Sequence, residues 1–341
     1  MPMLTIDGRD VDVPAGATVL DAARRLGIDI PTLCHLDGHP PQTSCMVCLV
    51  KVDGGERLRP SCATVVEDGM RVESETAEVH AARRTALELL LGDHLGDCVA
   101  PCSAACPAHL NIPLMIRRVR AGRAAAAGAM ARLCLDCPGR CEKACRRGVK
   151  DQPVSIRDLV RYAAARAGDA EAPDDATAEG YSTHVGHVPP DEIDRYMVEA
   201  SDTARVQPAE DGTFSAGEAR REASRCMHCD CRAADDCKLR RYGALYEASR
   251  TKYRSRRRRF EQKHHPAGIL YEPGKCIACG LCVQITSEAA EPLGLTFVGR
   301  GFHVRVGVPF DGTLEEGLQK VAGECVRACP TGALAFEDEE P

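Results

Sequence analysis

KCIACGLCVQIT, residues 275–286, decides how the rest of the chain is read. Cys276, Cys279 and Cys282 stand at Cys-x2-Cys-x2-Cys spacing, at which one loop brings three thiolates to one cubane iron–sulfur cluster. A fourth cysteine is due at position 286, where Thr286 stands instead. Farther on, GECVRACPTGALAF (323–336) supplies Cys325 and Cys329-Pro330. When two such runs are paired, the cysteine before proline ligates the other run's cluster, so Cys329 is the expected partner of Cys276, Cys279 and Cys282. The second site of the pair would need ligands at 286, 319, 322 and 325. Those positions hold Thr286, Gln319, Ala322 and Cys325, so that cluster is read as lost and Cys325 as an ordinary thiol.

The chain has 341 residues and 20 cysteines, but no tryptophan and only 4% aromatic residues. That is a poor supply of large core-forming side chains, and disulfides or metal sites are the two ways in which cysteines supplement such a core. The start MPMLTIDGRD has no basic region followed by an apolar one, as a secretory signal would. No stretch approaches the roughly 20 apolar residues that span a bilayer. The expected compartment is the reducing cytoplasm, where short cysteine spacings read as metal or redox sites. The formal net charge of -6 counts every thiol as neutral and gives no hint of nucleic-acid binding.

The first cysteine packet is Cys34, Cys45, Cys48 and Cys62. MLTIDGRDVDVPAG (3–16) predicts two short strands about a glycine turn, TVLDAARRLGI (18–28) an amphipathic helix opened by Thr18, and CLVKVDGG (48–55) another strand. A hairpin, a helix and further strands fit a β-grasp domain. The Cys-x10-Cys-x2-Cys-x13-Cys spacing departs from the plant ferredoxin pattern. It resembles the N-terminal [2Fe-2S] domain of the large iron–sulfur subunit of respiratory complex I and of iron-only hydrogenases. Structural zinc is the competing reading, because four sulfurs alone do not exclude it.

A second packet joins DHLGDCVAPCSAACPAHLNIP (93–113) to LCLDCPGRCEKACRRGVKDQPVSI (133–156), with an Ala-rich helical segment, LMIRRVRAGRAAAAGAMARL, between them. It offers His94, Cys98, Cys102, Cys106, Cys134, Cys137, Cys141 and Cys145, enough for two cubanes. Cys-x3-Cys-x3-Cys-Pro, Cys-Pro, Cys-x3-Cys and PVSIRDLVRY resemble the helical double-[4Fe-4S] domain of the glutamate synthase small subunit and dihydropyrimidine dehydrogenase. The resemblance implies interleaved ligands: Cys98, Cys102 and Cys145 for one cluster, with His94 its natural fourth ligand or else a surface histidine, and Cys106, Cys137 and Cys141 for the other, with Cys134 available as fourth where relatives also use a non-cysteine ligand from the helix after the motif. A histidine ligand would raise the first cluster's potential, as in Rieske centres.

The third packet, ASRCMHCDCRAADDCKLRRYGALY (223–246), carries Cys226, Cys229, Cys231 and Cys237. Its compact spacing is read as one complete ligand set, a [4Fe-4S] site or else structural zinc, with His228 facing solvent between two ligands. It resembles a segment that follows the flavin domains of longer glutamate-synthase-like oxidoreductases. GLTFVGRGF (294–302) strengthens a resemblance of the C-terminal region to the double-ferredoxin module of complex I, here reduced to one cluster.

The expected fold is α+β and multidomain: a β-grasp [2Fe-2S] domain (1–78), an α-helical double-cluster domain (79–165), an acidic linker (166–215), a cluster segment with a basic connector (216–265) and a small ferredoxin-like module (266–341). The linker has no G-x-G-x-x-G after a strand, so no flavin is expected in this chain. KYRSRRRR (252–259) reads as a partner-facing connector rather than a nucleic-acid site. One [2Fe-2S] and four [4Fe-4S] clusters would use 19 of the 20 cysteines together with His94. The chain would then be a non-catalytic electron-transfer subunit. Its expected partners are a flavin-containing NAD(P)H dehydrogenase-like subunit and a catalytic metal subunit such as a hydrogenase or formate dehydrogenase. A free polyferredoxin and an iron–sulfur redox sensor are the alternatives.

Overall fold

The computed structural model describes residues 1–131, 137–167, 190–198, 200–210, 212–253 and 260–337. They divide into two compact units, one comprising 1–94, 236–258 and 263–336, the other 95–235, 259–262 and 337–341.

The first unit begins with a five-stranded sheet in the order Arg9–Asp12, Met3–Ile6, Arg71–Glu73, Leu49–Val52, Arg59–Pro60. Met3–Ile6 runs parallel to Arg71–Glu73, and the other pairs are antiparallel. The hairpin turns at Asp7 and Gly8, both at positive φ, which the short polar side chain and the glycine tolerate. Helix Val19–Arg25 starts at Thr18, which forms a capping box with Asp21. Its apolar face closes the sheet over Leu4, Ile6, Val50 and Val72. This is the β-grasp arrangement.

Helix Ala77–Asp93 follows, capped by Thr76. Its Arg83 is wholly buried and donates to the Leu49 carbonyl at 3.0 Å and the Tyr246 hydroxyl at 2.8 Å, fastening helix Lys238–Leu245 to the β-grasp fold. The same unit contains a three-stranded antiparallel sheet, Leu334–Phe336, Ile269–Tyr271, Lys263–His265, and the hairpin Thr296–Val298 with Arg305–Gly307. Helices Leu281–Glu288 and Ala322–Ala328 complete this ferredoxin-like module around Ile269, Tyr271, Ile285, Leu295 and Leu318.

The second unit is helical. The Ala-rich segment expected as one helical stretch forms two helices, Ile112–Arg120 and Ala124–Ala131, separated at Gly122 with φ +79°. Helix Ala124–Ala131 lies against Ile156–Ala164 so closely that a Cβ on Gly128 would stand 2.1 Å from the Ala163 carbonyl oxygen. Leu110, Met115, Ile116, Leu159, Val160 and Phe214 fill the core. Ile193, Tyr196 and Phe214, from the described part of the acidic segment, are all buried. The rest of that segment and residues 254–259 of the basic run lie outside the described residues.

Candidate metal centres

In the β-grasp domain the loop after the first helix brings Cys34 within 3.3 Å of Cys45, sulfur to sulfur, and Cys48 lies 3.4 Å from Cys62. All four are buried. The hydrogen bond shared with Cys45 pulls the Cys34 thiol down to about 5, and the same shared proton pushes Cys45 upward. Cys48 is pulled down to about 6 by Cys62 for the same reason. Cys62 in turn feels the charges of Cys34 and Cys45. None of the nineteen described cysteines is in a disulfide. A buried group of thiolates repels itself unless cationic iron offsets the charge, and this donor set fits a cluster.

In the ferredoxin-like module, Cys276, Cys279, Cys282 and Cys329 line one small cavity with Tyr271, Leu281 and Leu334. Gly280, at φ +86°, turns the cysteine loop into helix Leu281–Glu288, and Cys329 ends helix Ala322–Ala328. The loop and the Cys-Pro corner therefore meet across the module. Thr286, at the position of the missing cysteine, is buried in the core. Its hydroxyl donates to the Cys282 carbonyl at 2.9 Å and accepts from the Leu295 N–H at 3.0 Å. Cys325 is fully buried beside Ile285, Val321 and Ala322 in the same core.

In the helical unit, Cys106, Cys137 and Cys141 line one small cavity with Ile112, Ile156 and Val160. Burial pushes the Cys141 thiol up to about 12, with contributions from Glu142, Cys106 and Cys137. Cys134, expected as their fourth partner, lies outside the described residues. Cys102 and Cys145 pack on the same helical core as Cys226, and the Cys98 carbonyl accepts from the Cys231 N–H at 3.4 Å. His94, in the first unit, has a buried Nδ1 with no hydrogen-bond partner while its ring is hydrogen-bonded to the Lys275 backbone. One nitrogen tied to the backbone leaves the other with a lone pair that a metal could take. Burial holds its pKa down to about 4, which keeps the imidazole neutral.

One expectation for the third packet needs revision. His228 does not face solvent: it is 1% exposed, and burial drives its pKa well below the ordinary value. Positive φ at His228 and the bifurcated hydrogen bond from Arg117 Nη1 to both Asp230 carboxylate oxygens, each at 3.0 Å, accompany this burial. Cys226, Cys229 and Cys231 belong to the helical unit and Cys237 to the first, where it caps helix Lys238–Leu245. Sequence spacing carried no signal of either feature.

Nor did the sequence reveal the contact between the first and last sites of the first unit. Ser44 Oγ donates to the Cys279 carbonyl at 3.1 Å, Gln42 Nε2 donates to Gln284 Oε1 at 2.8 Å, and His39 lies 2.7 Å from Glu288. Cys34 and Cys279 are close enough for their charges to interact.

Three family models match in succession: the 2Fe-2S iron-sulfur cluster binding domain at residues 3–77, domain II of dihydropyrimidine dehydrogenase with its 4Fe-4S cluster at 72–172, and the ferredoxin-like domain of NADH-quinone oxidoreductase subunit 3 at 268–335. The chain is an assembly of iron–sulfur domains. Residues 173–267, with Cys226, Cys229, Cys231 and Cys237, lie outside the three matched ranges of this iron–sulfur protein. It is 51% identical over 104 residues to the NADP-reducing hydrogenase subunit HndD of Solidesulfovibrio fructosivorans, 29% of this chain and 18% of that protein. It is 48% identical over 98 residues to an NADH-quinone oxidoreductase subunit of Rhizobium meliloti, 29% of this chain and 12% of that one. The matched segment thus spans less than a fifth of either relative. A chain of an NAD+-reducing [NiFe]-hydrogenase shares the fold, with a TM-score of 0.53 at 19% identity over 99% of this chain and 88% of that one. Among the described residues, no helix is long and apolar enough to cross a membrane.

Proposed function

We propose that this iron–sulfur protein is a non-catalytic electron-transfer subunit. It relays single electrons through one [2Fe-2S] and four [4Fe-4S] clusters between a flavin-containing NAD(P)H dehydrogenase-like subunit and a catalytic metal subunit of a cytoplasmic redox complex. The observation that carries the reading is the direct contact of two cysteine sites in the first unit, through Ser44 and Cys279. Bound clusters supply the one-electron chemistry. The chain's residues hold the two sites against each other, bury the thiolates, and set potentials through ligand type and hydrogen bonds to sulfur. The relatives' names, a hydrogenase subunit and an NADH-quinone oxidoreductase subunit, support a place in such a complex.

The test is iron, zinc and acid-labile sulfide per chain on anaerobically purified protein, with co-purifying polypeptides identified. About 18 irons, from one two-iron and four four-iron centres, and a stoichiometric flavoprotein are expected. Zinc in place of iron, or only about two to six irons, would overturn the relay.

A further inference from the structure

The four cysteines of the third packet lie close in sequence, which by itself suggests one self-contained ligand set. The packing of the helical unit points elsewhere. Arg225, the residue before Cys226, is wholly buried and donates to the carbonyls of Gln152, at 2.8 Å, and Thr203, at 3.0 Å. Arg147, two residues after Cys145, is also wholly buried and donates to the Arg225 carbonyl at 3.2 Å. Asp151 accepts from both guanidinium groups, at 2.7 and 3.1 Å. Two buried arginines therefore lock the backbone at Cys226 onto the turn that carries Cys145. On the far side of Cys229, Asp230 is held by Arg117 of helix Ile112–Arg120. Cys102 and Cys145 pack against the core cluster to which Cys226 belongs.

We propose that Cys102, Cys145, Cys226 and Cys229 are the four thiolate ligands of one [4Fe-4S] cluster, so that the third packet is shared between sites rather than forming its own. The charges support the grouping. Each of the four sulfurs lies close enough to the other three for their charges to interact. The rearrangement takes Cys98 from Cys102 and Cys231 from Cys226, and the backbones of these two displaced residues are hydrogen-bonded to each other.

This inference rests on the iron–sulfur reading above and deepens it. The experiment is a set of paired Cys→Ala variants of the full chain, purified anaerobically with its partners, with iron and sulfide measured per chain and clusters counted by low-temperature EPR and Mössbauer spectroscopy. C102A, C226A and the double variant C102A/C226A should each affect a single cubane, a loss of about four irons or one [3Fe-4S] signal in its place. The pairs C98A/C102A and C226A/C231A should each affect two. The opposite pattern, with C102A/C226A affecting two clusters and the other two pairs one each, would overturn the proposal and restore the sequence grouping. The [2Fe-2S] signal, whose ligands lie in the β-grasp domain, reports that each variant has folded. Wild-type protein without iron would instead sink the iron–sulfur reading itself, which separates the two failures. A variant that does not fold is replaced by its Cys→Ser counterpart, for which a shifted EPR signal of one cluster or of two distinguishes the groupings in the same way.

Discussion

Thr286 shows how a single position reports a lost site. A cysteine there would be a ligand of a second cluster; the threonine hydroxyl is instead used up by the Cys282 carbonyl and the Leu295 N–H. Thr286→Val keeps the shape but leaves the buried Leu295 N–H without its acceptor. A loss of roughly 1–3 kcal/mol is expected, with cluster content unchanged, measurable as a lowered urea midpoint. Asp151 acts at the same scale through charge. Its carboxyl is held well below the ordinary range, first by the hydrogen bond from Arg147 and then by the Gln152 N–H and Arg225. A depressed folded pKa contributes stability that is complete above the unfolded carboxyl value, about 4, and is lost as pH falls below it. Asp151→Asn should therefore be less stable than the parent at pH 7, with the difference shrinking below about pH 4 in parallel denaturation curves.

Packed elements can reverse what a residue does in isolation. In a free helix, Gly→Ala is stabilising by about 0.5–1 kcal/mol. At Gly128 the added methyl would meet the Ala163 backbone, which cannot swing aside as a side chain would. Gly128→Ala is expected to destabilise the helical unit by about 1–3 kcal/mol, and a raised melting temperature would contradict this packing. The contact between the cysteine loops is tested at Gly280. A Cβ there would lie 2.9 Å from Gln42 Oε1 on a backbone at φ +86°, so Gly280→Ala strains both the turn and the contact. The expected result is slower electron exchange between the [2Fe-2S] site and the C-terminal cubane after pulsed reduction, with iron content near that of the parent.

At the scale of the molecule, the cysteines compensate for what composition lacks. With 4% aromatic residues and no tryptophan, cores such as that around Leu110, Met115 and Leu159 are built from aliphatic side chains and flanked by thiols. Metal binding in such folds is folding energy. Stripping iron with a chelator under reducing conditions should lower the unfolding temperature of both units and broaden the transition, as seen by circular dichroism. An unchanged transition would mean that the cysteine sites contribute little to the fold.

Much of this architecture was legible in the chain because its signals are local. The Asp7-Gly8 turn, the Thr18 cap and the Cys-x2-Cys-x2-Cys loop each depend on residues within a few positions of one another, and short-range geometry is encoded in spacing. The same holds for Cys329, whose pairing follows from a motif rule. Three things were decided by tertiary structure alone. His228 is buried where Arg117, more than a hundred residues earlier, donates to Asp230. Ser44 meets Cys279 across 235 residues of sequence. The grouping of Cys226 with Cys145 depends on two buried arginines and one carboxylate from separate segments. Spacing shows which cysteines belong to one loop, but a cluster takes its ligands from whatever loops the packing brings together.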